Sequence, residues 1–252
     1  MTRGKSAALD PTAMSPQHDK DPAREARAAP RYVAIIADGN RRWATARGLP
    51  GIAGHDAAAD TLKARLHDAA ALGIRELTVY AFSTENWERP DGEVAKLLQM
   101  FARRIAIETP ELHAEGVRMR FLGRRQEIPA ELAERMDRAE SLTAANEAIM
   151  LCIAFDYGGR AEIVQAARRF SGSTEDEFRR GLYAPDMHDP ELIIRTGGEQ
   201  RLSNFLLWQS AYSELVFREE LWPDFTRQAF EQSLQQFSDR NRRFGGRDGL
   251  RA

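Results

Sequence analysis

Tyr32-Val33-Ala34-Ile35-Ile36-Ala37-Asp38-Gly39-Asn40-Arg41-Arg42-Trp43 is the stretch on which the fold turns. Its first six residues form an apolar run too short for a helix, and they read as a buried strand that ends on the Asp38-Gly39-Asn40 turn. Working outward, a helix is expected from about His55, with Leu62, Leu66 and Ala70 on one face and Gly73 as its stop. A second strand follows over Ile74–Phe82, then a polar loop over Ser83–Pro90. The next helix carries the stripe Val94, Leu97, Leu98, Phe101 and Ile105, and Pro110 is expected to bend or end it. Further strands are expected at Val117–Leu122, Ile149–Phe155, Leu192–Arg195 and Glu214–Phe217. Helices are expected at Pro129–Thr143, Ala161–Phe170 and from Asp224 to about Ser238. Regular alternation of strand and helix predicts an α/β fold, a mainly parallel central sheet flanked by helices. In such sheets ligands sit beyond the carboxyl ends of the strands.

Composition narrows the function. The 252 residues balance 36 Lys+Arg against 38 Asp+Glu, so a net charge of −2 makes no broad electrostatic case for nucleic acid. A single cysteine, Cys152, excludes an internal disulfide framework and a cysteine-cluster zinc site. No apolar run approaches the ~18 residues of a membrane span, and no signal-peptide core follows Met1. A soluble, cytoplasmic enzyme is the expectation. Residues 1–30 hold four prolines and seven alanines but no aromatic, Val or Ile, so they read as a flexible tail. The catalytic domain is then 31–252, including a frayed Arg/Gly-rich end beyond about residue 245.

Three strand ends hold the unusual residues. In Asp38-Gly39-Asn40-Arg41-Arg42-Trp43, Gly39 lets backbone N–H groups approach an anion, and two guanidinium groups follow. A carboxylate is repelled by that anion unless a cation lies between them, and Mg²⁺ suits one or two carboxylates plus substrate phosphates. The same hexapeptide also reads as an Asp-Gly turn with solvated arginines, and both readings stay open. The loop Ser83-Thr84-Glu85-Asn86-Trp87-Glu88-Arg89-Pro90 suits a site, or a solvated turn with Trp87 as a cap. In Arg195-Thr196-Gly197-Gly198-Glu199-Gln200-Arg201-Leu202-Ser203-Asn204, two arginines, a glycine pair and a hydroxyl can cradle a diphosphate. Glu214 is placed to supply a second metal ligand. The chain lacks a GxxxxGK[ST] loop, a GxGxxG turn after a strand, a GxSxG elbow and a DDxxD signature. These residues lead as far as a magnesium-dependent enzyme acting on diphosphates.

Beyond that point the chain resembles a known family. Ile35–Ala44, Tyr80–Trp87, Tyr157-Gly158-Gly159-Arg160, Ile194–Arg201, Ser203–Gln209, Leu221–Phe225 and Arg242–Gly246 are similar, in order, to motifs of the cis-prenyltransferases, the undecaprenyl diphosphate synthase-like isoprenyl transferases. The resemblance covers nearly the whole domain. It implies an α/β fold distinct from the Rossmann type, an apolar tunnel, and a homodimer. It also implies elongation of an allylic prenyl diphosphate, farnesyl or geranyl, by isopentenyl diphosphate with cis double bonds, to a product such as undecaprenyl diphosphate. Transient membrane contact through the lipid product would follow. By motif, Asp38 would bind Mg²⁺, with Glu214 as a further metal contact. Gly39, Asn40, Arg41, Arg42 and His55 would hold the allylic diphosphate, and Trp43 would wall the site. Ser83, Thr84, Glu85, Asn86, Trp87 and Arg89 would position the reacting carbons, Asn86 helping to remove the proton. Arg195, Arg201, Leu202 and Ser203 would cradle isopentenyl diphosphate, and Arg243-Phe244-Gly245 matches a tail that reaches the partner's site. The stripe from Val94 to Ile105 is a candidate tunnel wall.

The chain also departs from the family pattern. Tyr32, Ala37 and Arg41 stand where many relatives have His, Met and Gly. Gly51 stands where many place a diphosphate-binding Arg, and Gln200 where His is common. Phe155 and Asp156 replace residues that are often smaller or amidic, and Ser171–Asp189 is short for a long-chain enzyme. Arg41 is a candidate to supply the charge missing at Gly51. The small Ala81 favours medium or long products. A short-chain or irregular cis-prenyl diphosphate synthase is the alternative, followed by a non-catalytic partner subunit.

Overall fold

Residues 29–240 are described in a computed structural model. The tail expected over 1–30 falls almost wholly outside them, as do Arg243, Phe244 and Gly245. Six parallel strands form one sheet: β1 (Tyr32–Ile36), β2 (Glu76–Ser83), β3 (Val117–Leu122), β4 (Ile149–Tyr157), β5 (Leu192–Arg195) and β6 (Glu214–Phe217). Their order is β3-β4-β2-β1-β5-β6, which differs from the 3-2-1-4-5-6 of the Rossmann fold. Helices α1 (Asn40–Ala46), α2 (Gly51–Ala71), α3 (Asp91–Ala114), α4 (Ala130–Thr143), α5 (Gly159–Arg169), α6 (Glu175–Arg179) and α7 (Arg227–Ser238) complete the layers.

The period-2 alternation of a strand sorts the apolar side chains to two faces. Val33, Ile35, Leu77, Val79, Leu151 and Ile153 join one large cluster with residues of α2, α3, α4 and α7. Ala34, Ile36, Tyr80, Cys152 and Ala154 join a smaller one, closed mainly by Ala184, Met187, Phe205 and Leu206 from irregular segments. The second face therefore owes more to loops than the strand–helix pattern suggested.

Three local expectations are corrected. Pro110 does not end its helix: α3 runs on to Ala114. Ala106, whose carbonyl loses its donor, and Pro110 itself both lie on the exposed face, where water can replace the missing bond. The helical region begins earlier than His55, because Asn40–Ala46 is itself a short helix after Gly39 at φ 103°. A Cβ on Gly54 would lie 2.0 Å from the Asn40 carbonyl oxygen, so this glycine lets α2 pack directly on α1. The short helix α6, with Thr174 and Glu177 as a capping box, lies where no helix was expected. Gly73, at φ 81° just past α2, is the stop its position predicts.

Candidate active site

Four neighbouring strand ends build the site. Ile36 of β1 stands level with Tyr80 of β2 and Arg195 of β5, while Ser83 of β2 is level with Tyr157 of β4. The polar runs that follow these strands therefore meet at the carboxyl edge of the sheet, as the parallel topology demands. Asp38 is fixed by its backbone. Its N–H donates to Thr196 Oγ1 at 3.0 Å, and its carbonyl accepts from that hydroxyl at 2.9 Å and from Trp222 N–H at 2.9 Å. Its carboxylate faces two guanidinium groups, Arg195 Nη2 at 2.8 Å from Oδ2 and Arg42 Nη2 at 3.5 Å from Oδ1.

Arg195 is 4% exposed, and its Nε has no hydrogen-bond partner. It also donates to Ser203 Oγ at 2.7 Å and to the Arg201 carbonyl. Gly197 and Gly198 take φ of 85° and 78°, and a Cβ on Gly197 would lie 2.6 Å from Arg42 Nη2. That space lets Arg42 donate to the Gly197 carbonyl at 2.8 Å. The first and third polar runs are thus one structure. Arg201 is exposed and paired with Glu199, and Leu202 packs against the smaller apolar cluster.

The Ser83–Pro90 loop is ordered by a 3₁₀ turn over Thr84–Glu88, in which Ser83 N–H donates to Asn86 Oδ1 at 3.1 Å. Asn204, to which the sequence assigned no role, knits this turn to the rest. Its amide donates to Glu85 at 2.9 Å, its side-chain oxygen accepts from Arg160 N–H, and its carbonyl accepts from Gly159 N–H at 2.7 Å. Burial raises the Glu85 pKa, but the hydrogen bonds from Asn204, its own N–H, Ser83 and Thr84 outweigh it and hold the carboxyl below its usual value. Gly158 permits the contact, since a Cβ there would meet Thr84 Oγ1 at 2.6 Å and Asn204 Nδ2 at 2.8 Å. Ser203, Asn204 and Leu206 all have positive φ, strain that clusters beside the site.

Two cavities adjoin here. The polar one, about 710 Å³ with its open mouth, is lined by Asp38–Arg42, His55, Ser83, Asn86 and Arg89 among others. The apolar one, about 890 Å³ with its open mouth, lies between the sheet, α2 and α3, and is lined by Ala58, Leu62, Met100, Phe101, Ile105 and Phe155 among others. Ala37, Asn40, His55, Tyr80 and Ala81 line both. At this junction His55 Nε2 and Asn40 Oδ1 are buried without a partner, an orphaned pair that a ligand's polar atoms can satisfy. Burial, and then the Arg89 charge, lower the His55 pKa to about 4, so its ring is neutral near pH 7. Charged groups enter the apolar wall toward the far end of α3. There Arg104 bonds Asp60 at 2.7 Å and Glu108 at 3.1 Å, and burial pushes the Glu108 carboxyl up.

Some expected residues lie elsewhere. Trp43 lines neither cavity: its indole N–H donates to Asp224 at 2.8 Å and Arg47 lies over its ring, so it pins α1 to the Trp222–Asp224 turn. Glu214 begins β6 level with Leu192, toward the opposite edge of the sheet from Arg195, and takes Arg240 at 3.1 Å. Within one chain it does not join Asp38, because four residues of extended strand separate the two edges. Of the proposed tunnel stripe, only Phe101 and Ile105 line the apolar cavity; Val94 and Leu97 are plain core and Leu98 packs on it. Thr84, Glu85 and Trp87 support the 3₁₀ turn and line neither cavity. Thr196 and Asp156 also went unassigned in the sequence, since their partners lie far along the chain.

A divalent cation fits this donor set in one way. Asp38 is a lone carboxylate, its Oδ1 has only the long contact to Arg42, and no three-residue His/Cys/Asp/Glu group that could hold a metal occurs among the described residues. Oxygens of a substrate would have to complete the shell, which suits Mg²⁺.

Comparison with known proteins gives concordant results. The prenyltransferase family model, described as "Putative undecaprenyl diphosphate synthase", matches residues 36–245. An isoprenyl transferase of Thermotoga maritima is 48% identical over 226 residues, spanning 86% of this chain and 97% of that protein. Lavandulyl diphosphate synthase from Lavandula x intermedia, solved with dimethylallyl diphosphate, has a TM-score of 0.83 at 33% identity, over 87% of this chain and 99% of that one. A "probable undecaprenyl diphosphate synthase" of Campylobacter jejuni has a TM-score of 0.75 at 29% identity, over 86% and 99%.

Proposed function

The chain belongs to the undecaprenyl diphosphate synthase family of isoprenyl transferases, and from that premise we propose that it condenses isopentenyl diphosphate with an allylic prenyl diphosphate. In this reading the reaction depends on Mg²⁺, forms cis double bonds, and builds a medium or long polyprenyl diphosphate such as undecaprenyl diphosphate from farnesyl or geranyl diphosphate. The observation that carries it is the pair of guanidinium groups flanking Asp38, beside a polar cavity that adjoins an apolar one through Ala37, Asn40, His55, Tyr80 and Ala81. Few other substrates need two anion cradles and a greasy pocket at once.

The residues divide the work by charge. Gly39, Asn40, Arg41, Arg42, His55 and Arg89 receive the allylic diphosphate, and Arg195, Arg201 and Ser203 hold and aim isopentenyl diphosphate. Mg²⁺ held by Asp38 would neutralise charge on the leaving diphosphate and assist its departure. Arg42, which lines the polar cavity beside Asp38, is already oriented toward that position, so it stabilises the departing anion with little reorganisation. The C–O bond of the allylic substrate breaks, its electron pair leaves with the diphosphate, and the double bond of isopentenyl diphosphate supplies the electrons of the new C–C bond. A proton must then leave. Asn86, an amide too weakly basic to keep it, orients its path while the departing diphosphate offers the stronger base. The apolar cavity takes the chain, each five-carbon unit being favoured by up to a few kcal/mol at ~0.8 kcal/mol per buried CH₂. We assign homodimeric assembly, a cytoplasmic site of action and transient membrane contact through the product to the same reading.

Incubation with Mg²⁺, labelled isopentenyl diphosphate and either farnesyl or geranyl diphosphate tests it. A ladder of polyprenyl products supports elongation, and Asp38→Ala is expected to lower turnover by about a hundredfold or more. Unchanged turnover in that variant would remove Asp38 from the reaction. Likeness to the lavandulyl enzyme supports a second reading, irregular or short-chain coupling; one short product in place of the ladder would select it. A non-catalytic subunit has no use for the cradle around Asp38, and activity of the isolated chain would exclude that role.

A further inference from the structure

Asp156 is a fully buried carboxylate outside the reacting centre, held at a break in the sheet. β2 and β4 keep register up to Tyr80–Ala154, then slip twice: Phe82 faces Phe155 and Ser83 faces Tyr157, leaving Ala81 and Asp156 as extra residues. Asp156 takes φ of 48°, which Asp tolerates better than most residues, and its side chain is 0% exposed. Its carboxylate accepts from Trp87 Nε1 at 2.7 Å and from Arg124 through Nη2 at 2.8 Å and Nε at 3.1 Å. Gly123, at φ 142°, makes that pair feasible: a Cβ there would lie 1.8 Å from the Phe155 carbonyl oxygen, and its absence lets Arg124 N–H reach the Asp156 carbonyl at 3.2 Å.

We propose that Asp156 is a positioning residue that holds Trp87, and through it the Ser83–Arg89 turn, over the reacting carbons, with Arg124 as its obligatory counter-charge. This rests on the function proposed above. Trp87 itself lines neither cavity, but the turn it anchors does, since Ser83, Asn86 and Arg89 of that turn line the polar one. Trp87 is gripped from two sides. Its indole N–H is tied to Asp156, and its ring meets Phe82 edge-on at 5.3 Å, Phe82 in turn stacking on Phe155 at 5.1 Å. A charged acceptor makes a stronger bond to an indole than an amide would, and holds the turn before substrate arrives. It also requires a partner, because an unpaired buried carboxylate is strongly destabilising. The bidentate Arg124 fork meets that need from the end of β3.

The full chain labelled with 5-fluorotryptophan tests this. It has four tryptophans, and Trp87→Phe identifies the Trp87 resonance. Asp156→Ala is expected to move that resonance and to lower kcat/KM by about tenfold or more, while Asp156→Asn, which keeps an acceptor, recovers most of the loss. Trp87→Phe added to Asp156→Ala is expected to cost nothing further. A folded Asp156→Ala protein with an unmoved Trp87 resonance, or multiplicative losses in the double variant, would overturn the proposal. Should Asp156→Ala not fold, two other measurements decide. The Trp87 indole N–H of the wild-type chain is expected to exchange with solvent about a hundredfold more slowly than in a peptide. Arg124→Gln is expected to lower the melting temperature, and adding Asp156→Asn to restore it. Peptide-like exchange, or no restoration, refutes the tether or the counter-charge respectively. These signals need no turnover, so an intact tether in a chain without prenyl transfer would defeat the functional reading alone.

Discussion

His55 is neutral where the proposed allylic diphosphate would bind, and the reason is local. Burial dominates, with Arg89 adding to it, and together they bring the pKa to about 4 from 6.5. The unfolded chain therefore takes up this proton first as pH falls. Stability that is full above pH 6.5 is lost progressively toward pH 4, by up to roughly 3 kcal/mol. Denaturant unfolding across that range is expected to show the loss, and His55→Gln to flatten it. A bound diphosphate places negative charge beside the ring and raises its pKa, so the slope is expected to shrink with diphosphate present. Arg41 makes a second case. A Cβ on Gly51 would lie 3.8 Å from Arg41 Cγ, so the Arg41 side chain runs beside the position that lacks charge. Arg41→Gly is expected to raise KM for the allylic substrate several-fold and leave KM for isopentenyl diphosphate unchanged. An unchanged allylic KM would exclude compensation. Asp38 and Arg195 were legible in the sequence as chemistry-bearing types. Thr196 was not, because a buried threonine takes meaning only from the Asp38 backbone beside it.

At the scale of elements, periodicity located most of the architecture. β3, β5 and β6 lie where the apolar runs placed them, and Pro129 does precede α4. The errors share a cause: Pro110, α1 and α6 depend on exposure or on local caps that period alone does not register. The paired irregularity in β2 and β4 is likewise invisible in sequence, since both strands read as continuous apolar runs. It puts Ala81 at the junction of the polar and apolar cavities. Ala81→Leu adds bulk at the mouth, where a growing chain has to pass. Products are expected to shorten by one or more five-carbon units, with little change in kcat for the first condensation. Full-length products from that variant would place the chain's path elsewhere.

For the whole molecule, the decisive feature is that α2 and α3 stand off the sheet far enough to leave an apolar cavity adjoining the polar one around Asp38–Arg42. If prenyl chains occupy it, a hydrophobic fluorescent probe bound there is expected to be displaced by farnesyl diphosphate but not by inorganic diphosphate. Displacement by both would mean that the probe sits in the polar cavity instead. The amino-acid sequence by itself determined the α/β class, most of the strand–helix order and the polar residue types gathered at three strand ends, because strand and helix periods and glycine turns are local properties. Its family motifs carried the expectation of prenyl transfer. Only the tertiary structure decided which of those residues meet. Asp38 pairs with Arg195 across 157 positions, Trp87 with Asp156 across 69, and Trp43 turns away to Asp224 across 181. Such contacts follow from strand register and helix packing, which no local pattern encodes, and they also moved Glu214 and the first part of the proposed tunnel stripe away from the site.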